Sequence, residues 1–356
     1  MKQGSSSPKE KIMSPTNRKV RIAVDGMGGD YAPEEIVKGV VLAAQKNDVE
    51  IVLTGPIDTL ERELAKYGSS SNLPIRCVEA NGIVKEGEPP ALAIRRKPNC
   101  SIAVATKLVE SGEADALVGA GSSGAVAVSA VQYLGMVEGM DRPAIGGPLG
   151  SFAPNTLMMD MGANVDCKPH HLLTFAIAGT IFAEKLLDIA NPTVGLLSTG
   201  AEEGKGNQAV REAYLLLKNS GLNFIGNIEG SDILSGRANV IVCDGFVGNV
   251  LFKFYESMGD HALDYIKRKF EKRPLLRGVA QLVYHRFFPV TKLSYEGEEQ
   301  GGGILWGIDG VVRLGHGSYR ASHVARAIAS AKKAAEADIV GCLKSELTKY
   351  KEKGKL

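Results

Sequence analysis

The sequence predicts a doubly wound α/β fold, a mostly parallel sheet flanked by helices. Three observations carry this. Short apolar runs alternate along the chain with segments of helical periodicity, the pattern of successive strand–helix units. Most of these runs end in turns built from Gly, Asn or Asp. The 42 glycines of the 356 residues sit at strand ends rather than in repeats, which indicates many tight turns and not a low-complexity chain.

Regular structure begins at Val20-Arg-Ile-Ala-Val24, a buried strand ending in Asp25-Gly-Met-Gly-Gly-Asp30. Pro33 suits the first turn of a helix that follows over 34–44. Strands are read at 50–54 and 75–78, with a helix over 57–67 between them. Residues 82–99 read as a polar loop, followed by a helix over 102–111. The strand 114–118 enters Gly119-Ala-Gly-Ser-Ser-Gly124 and a small-residue helix, and 142–154 reads as a Gly/Pro stretch. The strand 156–159 enters Asp160-Met-Gly-Ala-Asn-Val-Asp-Cys-Lys168, then a helix from Pro169 to about Leu187. Three more strands follow. The first, 193–197, leads into a glycine turn and a helix at 208–217; the second is 223–226; the third, 240–243, precedes a helix from Val250 to about Phe270. The last strand, 310–314, leads through Gly315-His-Gly-Ser318 to a helix ending near Lys344.

The length prior is about two domains, but the continuous pattern reads as a single α/β/α domain over 20–344. Around it lie a disordered extension (1–19), an amphipathic protrusion (268–300) and a basic tail (345–356). A hydrophobic fraction of 44% supports a large core, and a net charge of +2 gives no argument for nucleic acid. The five cysteines are widely spaced and none forms a C-x-x-C pair, so neither a disulfide framework nor a zinc site is indicated, and a reducing cytoplasm is expected. No apolar run approaches the roughly 18 residues of a membrane span.

In a parallel sheet every strand's C-terminal end lies on one edge, where ligands bind. The turns after residues 24, 118, 159, 197, 243 and 314 are therefore expected to converge. In Leu197-Ser-Thr-Gly-Ala-Glu-Glu-Gly-Lys-Gly-Asn207 the glycines Gly200, Gly204 and Gly206 bring Lys205 and Asn207 to a helix start, where free N–H groups favour an anion. A tight βα connection alone would also use such glycines. Asn164, Asn207 and Asn249 add neutral donors, and Lys168 a second cation. No paired Ser–His or Cys–His base is evident, so the set suits holding and polarising an anion rather than forming a covalent intermediate.

Gly119-x-Gly121-x-x-Gly124 matches a dinucleotide fingerprint, but after the fourth strand rather than the first. Asp25, Asp160, Asp166 and Asp244 can either ligate Mg²⁺ or organise turns through Asx hydrogen bonds, the second being favoured. His170 and His171 are neighbours on a helix and are expected to face different sides, which argues against a paired metal site. His316, between two glycines at a strand end, fits a pocket edge and a structural turn equally well. Residues 272–289 carry an apolar stripe beside Arg277, His285 and Arg286, a pattern suited to core packing, to a dimer or to an anionic membrane surface.

Together, Ile22-Ala-Val-Asp-Gly-Met-Gly-Gly-Asp30, Met161-Gly-Ala-Asn-Val-Asp-Cys-Lys-Pro169, Glu202-Glu-Gly-Lys-Gly-Asn207, Asn223-Phe-Ile-Gly-Asn-Ile-Glu-Gly230, Val242-Cys-Asp-Gly-Phe-Val-Gly-Asn-Val250 and Gly315-His-Gly-Ser318 resemble the acyl-acyl carrier protein:phosphate acyltransferases of bacterial phospholipid synthesis. The resemblance runs from about Val20 to Ala335. Gly26 departs from a common alanine, and Ser122-Ser123 from a common Asn-Thr pair.

The resemblance implies a fold akin to phosphotransacetylases and isocitrate-dehydrogenase-like enzymes, and a homodimeric, peripheral cytoplasmic enzyme; no metal or cofactor is expected. Its implied substrates are an acyl carrier protein thioester and inorganic phosphate, and its acyl phosphate product would pass to a membrane glycerol-3-phosphate acyltransferase. Lys205 and Asn249 are the expected catalytic donors. Gly28, Gly29, Gly204, Gly206 and Asn207 would complete an anion cradle, with Asp25, Asn164, Asp166 and Lys168 ordering the pocket and His316 at its margin. Arg95-Arg96-Lys97 and Lys267-Arg268-Lys269 are candidate docking patches for an acidic carrier. The nearest alternatives are a phosphotransacetylase-like enzyme using coenzyme A thioesters and a nicotinamide-dependent dehydrogenase. Glu202 and Glu203, beside an anion site, are expected to point away from it.

Overall fold

The computed structural model describes residues 18–68, 72–150, 153, 155–271 and 302–355. The stretch 272–289 and most of the expected extension and protrusion lie outside the described residues. In chain order the elements are β1 (Val20–Asp25), α1 (Glu34–Lys46), β2 (Val49–Gly55), α2 (Ile57–Ala65), β3 (Ile75–Glu79), α3 (Pro90–Arg96), α4 (Ser101–Glu110), β4 (Ala116–Gly119), α5 (Ser123–Tyr133), β5 (Ala144–Pro148), β6 (Leu157–Met159), α6 (Pro169–Leu186), β7 (Val194–Leu197), α7 (Gln208–Lys218), β8 (Phe224–Ile228), β9 (Val240–Val242), α8 (Gly245–Glu271), β10 (Gly303–Trp306), β11 (Val311–Leu314), α9 (Ala321–Glu336) and α10 (Ile339–Glu352).

One 11-stranded sheet runs β3-β2-β1-β4-β11-β10-β5-β6-β9-β7-β8. Alternate strand residues feed opposite layers. Ile22 and Val24 of β1, and Leu157 and Met159 of β6, enter the core beneath α1, α6 and α9. Ala23 faces the layer of α4 and α5, and Met158 faces a third cluster that packs against α8. This period of two, with both faces covered, is what a doubly wound sheet requires.

The sheet departs from the sequence reading in one respect that governs the site. Strands β3, β2, β1, β4 and β11 are mutually parallel, as are β6, β9, β7 and β8. Between them β10 and β5 pair antiparallel with each other and with both flanks. Three successive reversals leave the two parallel halves running in opposite directions. The six turns therefore do not share one edge: those after β1, β4 and β11 belong to one half, and those after β6, β7 and β9 to the other. Both linking strands are short and glycine-bearing, and Gly146 leaves the space that the Met159 side chain fills.

Two smaller differences follow from packing. Residues 90–96 form α3 within the expected loop, started by Pro89-Pro90. The last helix does not fray after Lys344. It breaks at Asp338, and α10 then continues to Glu352 with Leu343, Leu347 and Tyr350 buried at helical spacing, so much of the expected basic tail is structured.

Candidate active site

The halves meet at a cleft of about 370 Å³, whose walls include Gly162, Asn249 and Lys253 from one half and Ser123, Gly315 and His316 from the other. On the first side, the β1, β4 and β11 turns interlock. Gly29, at φ +110°, would place a Cβ 3.0 Å from the Ala120 carbonyl, and Gly121 would place one 3.2 Å from the Gly28 Cα. Of the fingerprint-like glycines of the β4 turn, Gly121 thus lets one backbone lie against another, while Gly119 and Gly124 make room for the Val126 and Pro90 side chains. The Asp30 N–H donates to the Gly317 carbonyl at 2.9 Å, and the Gly315 N–H to that of Gly119 at 2.8 Å. Asp25 is buried, and its carboxylate accepts the Met27 N–H at 3.1 Å. Burial raises its pKa, opposed by hydrogen bonds from Ser101, Met27 and Gly28. Exposed His316 has its Nδ1 2.9 Å from the Ser318 hydroxyl, a contact within one turn.

On the second side, Asp160 organises the β6 turn. Its Oδ1 accepts N–H groups from Ile145, Gly162 and Ala163, each at 3.0 Å. Its Oδ2 accepts the Asn164 main-chain and side-chain N–H groups, both at 2.8 Å. Burial raises the Asp160 pKa and these donors oppose it. The other Asn164 amide hydrogen goes to the Pro143 carbonyl at 2.7 Å, so this amide is committed to the turn. The Gly245 N–H donates to the Asn164 carbonyl at 2.7 Å, tying the turn to the start of α8. Asn249, in the second turn of α8, stands against Gly162, whose φ is +134°. Asp244 caps α8 by accepting the Val247 N–H at 2.8 Å. The aspartates that organise turns are thus Asp25, Asp160 and Asp244.

Lys205 lies on the same edge as Asn249 but outside the cleft wall. Its strand β7 is two places from β6, roughly 10 Å at ordinary strand spacing. The side chain is exposed and forms no ion pair among the described residues. Asn207 is the N-cap of α7, its Oδ1 accepting the Val210 N–H at 2.9 Å. Gly206 adopts φ +98°, and nothing lies within 4 Å of a Cβ at Gly204. Glu203 turns to Lys218, 2.9 Å away, while a Glu202 carboxylate oxygen lies 2.8 Å from where a Cβ on Gly200 would sit. Asp166 and Lys168 are exposed beyond the β6 turn, outside the cleft wall.

Sequence reasoning missed Lys253. It follows Asn249 by four residues, hence on the same helix face, and that spacing was the available signal. It also separated His170 from His171, whereas both Nε2 atoms reach Asp141 Oδ2, at 3.1 and 3.4 Å. At the first turn of α6 the side chains lean back over the helix start. His171 Nδ1 accepts the Lys168 N–H at 3.1 Å, so its proton resides on Nε2 and the lone pair a metal needs there is absent.

The chain matches the family described as fatty acid synthesis protein over residues 20–341. It is 42% identical to the phosphate acyltransferase of Pelotomaculum thermopropionicum, over 94% of this chain and 97% of that one. It is 43% identical to that of Thermosynechococcus vestitus, over 91% and 94%. The chain belongs to the phosphate acyltransferase family. As a phosphate acyltransferase it shares its fold with a phosphotransacetylase of Streptococcus pyogenes (TM-score 0.62, 17% identity, 89% of this chain and 94% of that one). A second phosphotransacetylase, from Staphylococcus aureus, aligns with TM-score 0.55 and 19% identity over 90% and 94%.

Proposed function

We propose that this phosphate acyltransferase makes an acyl phosphate from an acyl carrier protein thioester and inorganic phosphate, for phospholipid synthesis. A phosphate oxygen attacks the thioester carbonyl, the C–S bond breaks, and the phosphate's proton leaves with the thiol. Phosphate is already a nucleophile, so the protein need only hold it against the carbonyl and stabilise the oxyanion. The observation that carries this reading is the cleft itself, where Asn249 and Lys253 face a glycine-lined wall. Lys205, on the same edge and without an ion pair among the described residues, is the second cation in this reading. Asn164 and Asp25 hold the two turns, and His316 borders the entrance. Thiols are poor rivals as nucleophiles: burial pushes Cys167 up to about 12 and holds Cys243 well above the ordinary thiol value.

Carrier docking is assigned to Arg95 and Arg96, exposed at the end of α3, whose Pro90 abuts Gly124 near the start of α5. Lys97 is held by Glu88 at 2.8 Å and contributes less. The side chains of Lys267 and Lys269 lie outside the described residues. A second copy of the chain fits the exposed Phe246, Val250 and Phe254 along α8, and sedimentation velocity tests it. No helix among the described residues is long and apolar enough to cross a membrane. Contact with an anionic surface, and with a membrane glycerol-3-phosphate acyltransferase, is therefore proposed as peripheral, and vesicle co-sedimentation checks it.

The deciding experiment measures acyl phosphate formation from acyl carrier protein and acyl-coenzyme A donors side by side. The reading expects the carrier-bound donor to be preferred. Arg95→Glu with Arg96→Glu should reduce that preference most at low salt. Lys205→Ala, Asn249→Ala and Lys253→Ala should each lower kcat by about 10²–10³. Near wild-type turnover in a folded variant would remove that residue from the mechanism, and equal use of both donors would favour the coenzyme A alternative.

A further inference from the structure

An apolar space adjoins the cleft. Leu149, Phe252 and Tyr255 also line a second cavity of about 160 Å³ between the sheet and α8. Its floor is Leu149, Met158 and Ile233, each at most 8% exposed, and Leu251 lines its side. Its rim carries Leu234 and Met258, 40% and 38% exposed. Charged side chains are missing from its described lining. A polar cleft lying beside an apolar space suits a thioester with a hydrocarbon tail: the carbonyl stays among donors while the tail leaves water.

We propose that this cavity binds the hydrocarbon chain of the acyl donor and makes the enzyme selective for chain length. The assignment rests on the acyl phosphate reading above. An apolar cavity of roughly 150 Å³ holds a six-carbon ring, so about six carbons fit inside and longer chains pass out between Leu234 and Met258. Selectivity accordingly rises by roughly fourfold per methylene over the first carbons and flattens once the chain reaches the rim.

The test compares kcat/KM for four-carbon and fourteen-carbon acyl carrier protein donors. Ile233→Trp fills the floor, and Met258→Trp narrows the rim at a position exposed enough to accept a large ring. Each should lower the fourteen-to-four ratio by tenfold or more. An unchanged ratio in both folded variants, or a parallel loss for both donors, overturns the assignment. Binding of a fluorescent twelve-carbon fatty acid separates this from the parent reading. If wild-type protein turns over neither donor but binds the probe, and Met258→Trp abolishes that binding, the cavity stands and the acyl phosphate reading falls. If the wild-type protein makes acyl phosphate yet the probe binds wild type and both variants equally, the cavity assignment falls alone.

Discussion

Among the described residues, the contact between His316 and Ser318 is where this site resembles a nucleophile beside its base. The geometry argues otherwise. The two residues belong to one turn, and no described carboxylate orients the imidazole as a nucleophilic triad requires. Ser318→Ala should therefore lose less than about tenfold in kcat, against the roughly 10⁶ that follows loss of a true nucleophile. Steady-state kinetics with purified Ser318→Ala settles this, and near-total loss would indicate an acyl-serine. A second residue-scale consequence concerns pH. Burial lowers the His171 pKa below its ordinary 6.5. The unfolded chain then takes up a proton before the folded one does. Stability contributed by the neutral ring is full above about pH 6.5 and is lost as pH falls below it. The urea midpoint should drop between pH 7.5 and 5, with a flatter slope in His171→Gln. Equal slopes would assign the drop to other groups.

At the scale of elements, glycine decides how closely layers approach. Gly179 of α6 faces β9, and a Cβ there would lie 2.5 Å from Val240 Cγ1 and 3.1 Å from Met159 Cγ. Gly179→Leu should destabilise by about 1–3 kcal/mol through overpacking, read from urea denaturation, and a loss under 0.5 kcal/mol would mean α6 can lift freely. Elements rich in β-branched and aliphatic residues are legible in the sequence itself. Val20-Arg-Ile-Ala-Val24 and Val240-Ile-Val-Cys243 read as strands because their periodicity and flanking turns are local properties. Ala144-Ile-Gly-Gly-Pro148 does not, since Gly and Pro dominate it, and what makes it a strand is distant: Met159 seated over Gly146 and Ile304 paired beside it. The end of α10 is hidden for a related reason. Its lysines look like a solvated tail, while Leu343, Leu347 and Tyr350 are fixed by packing against α6.

The whole molecule shows why the site is only half readable from its sequence. Each turn is recognisable, because Gly, Asn and Asp at strand ends are local signals. Their arrangement is not, because strand direction depends on β5 and β10. The same two strands also determine when a cleft can exist. Strands β10 and β11, from residues 303–314, lie in the middle of the sheet between β4 and β5, whose residues precede them by more than 150 positions. Until that late segment inserts, the two halves have no shared ladder. Long-range pairing of this kind closes slowly, since loop-closure entropy is lost before the contacts form. Pulse-labelled hydrogen exchange during refolding should find the β1–β2 and β7–β9 amides protected first and those of β10 last. Early protection of β10 would contradict this. During synthesis the consequence is a matter of timing: a growing chain can assemble both halves, yet the cleft between them cannot form until nearly nine-tenths of it has been made.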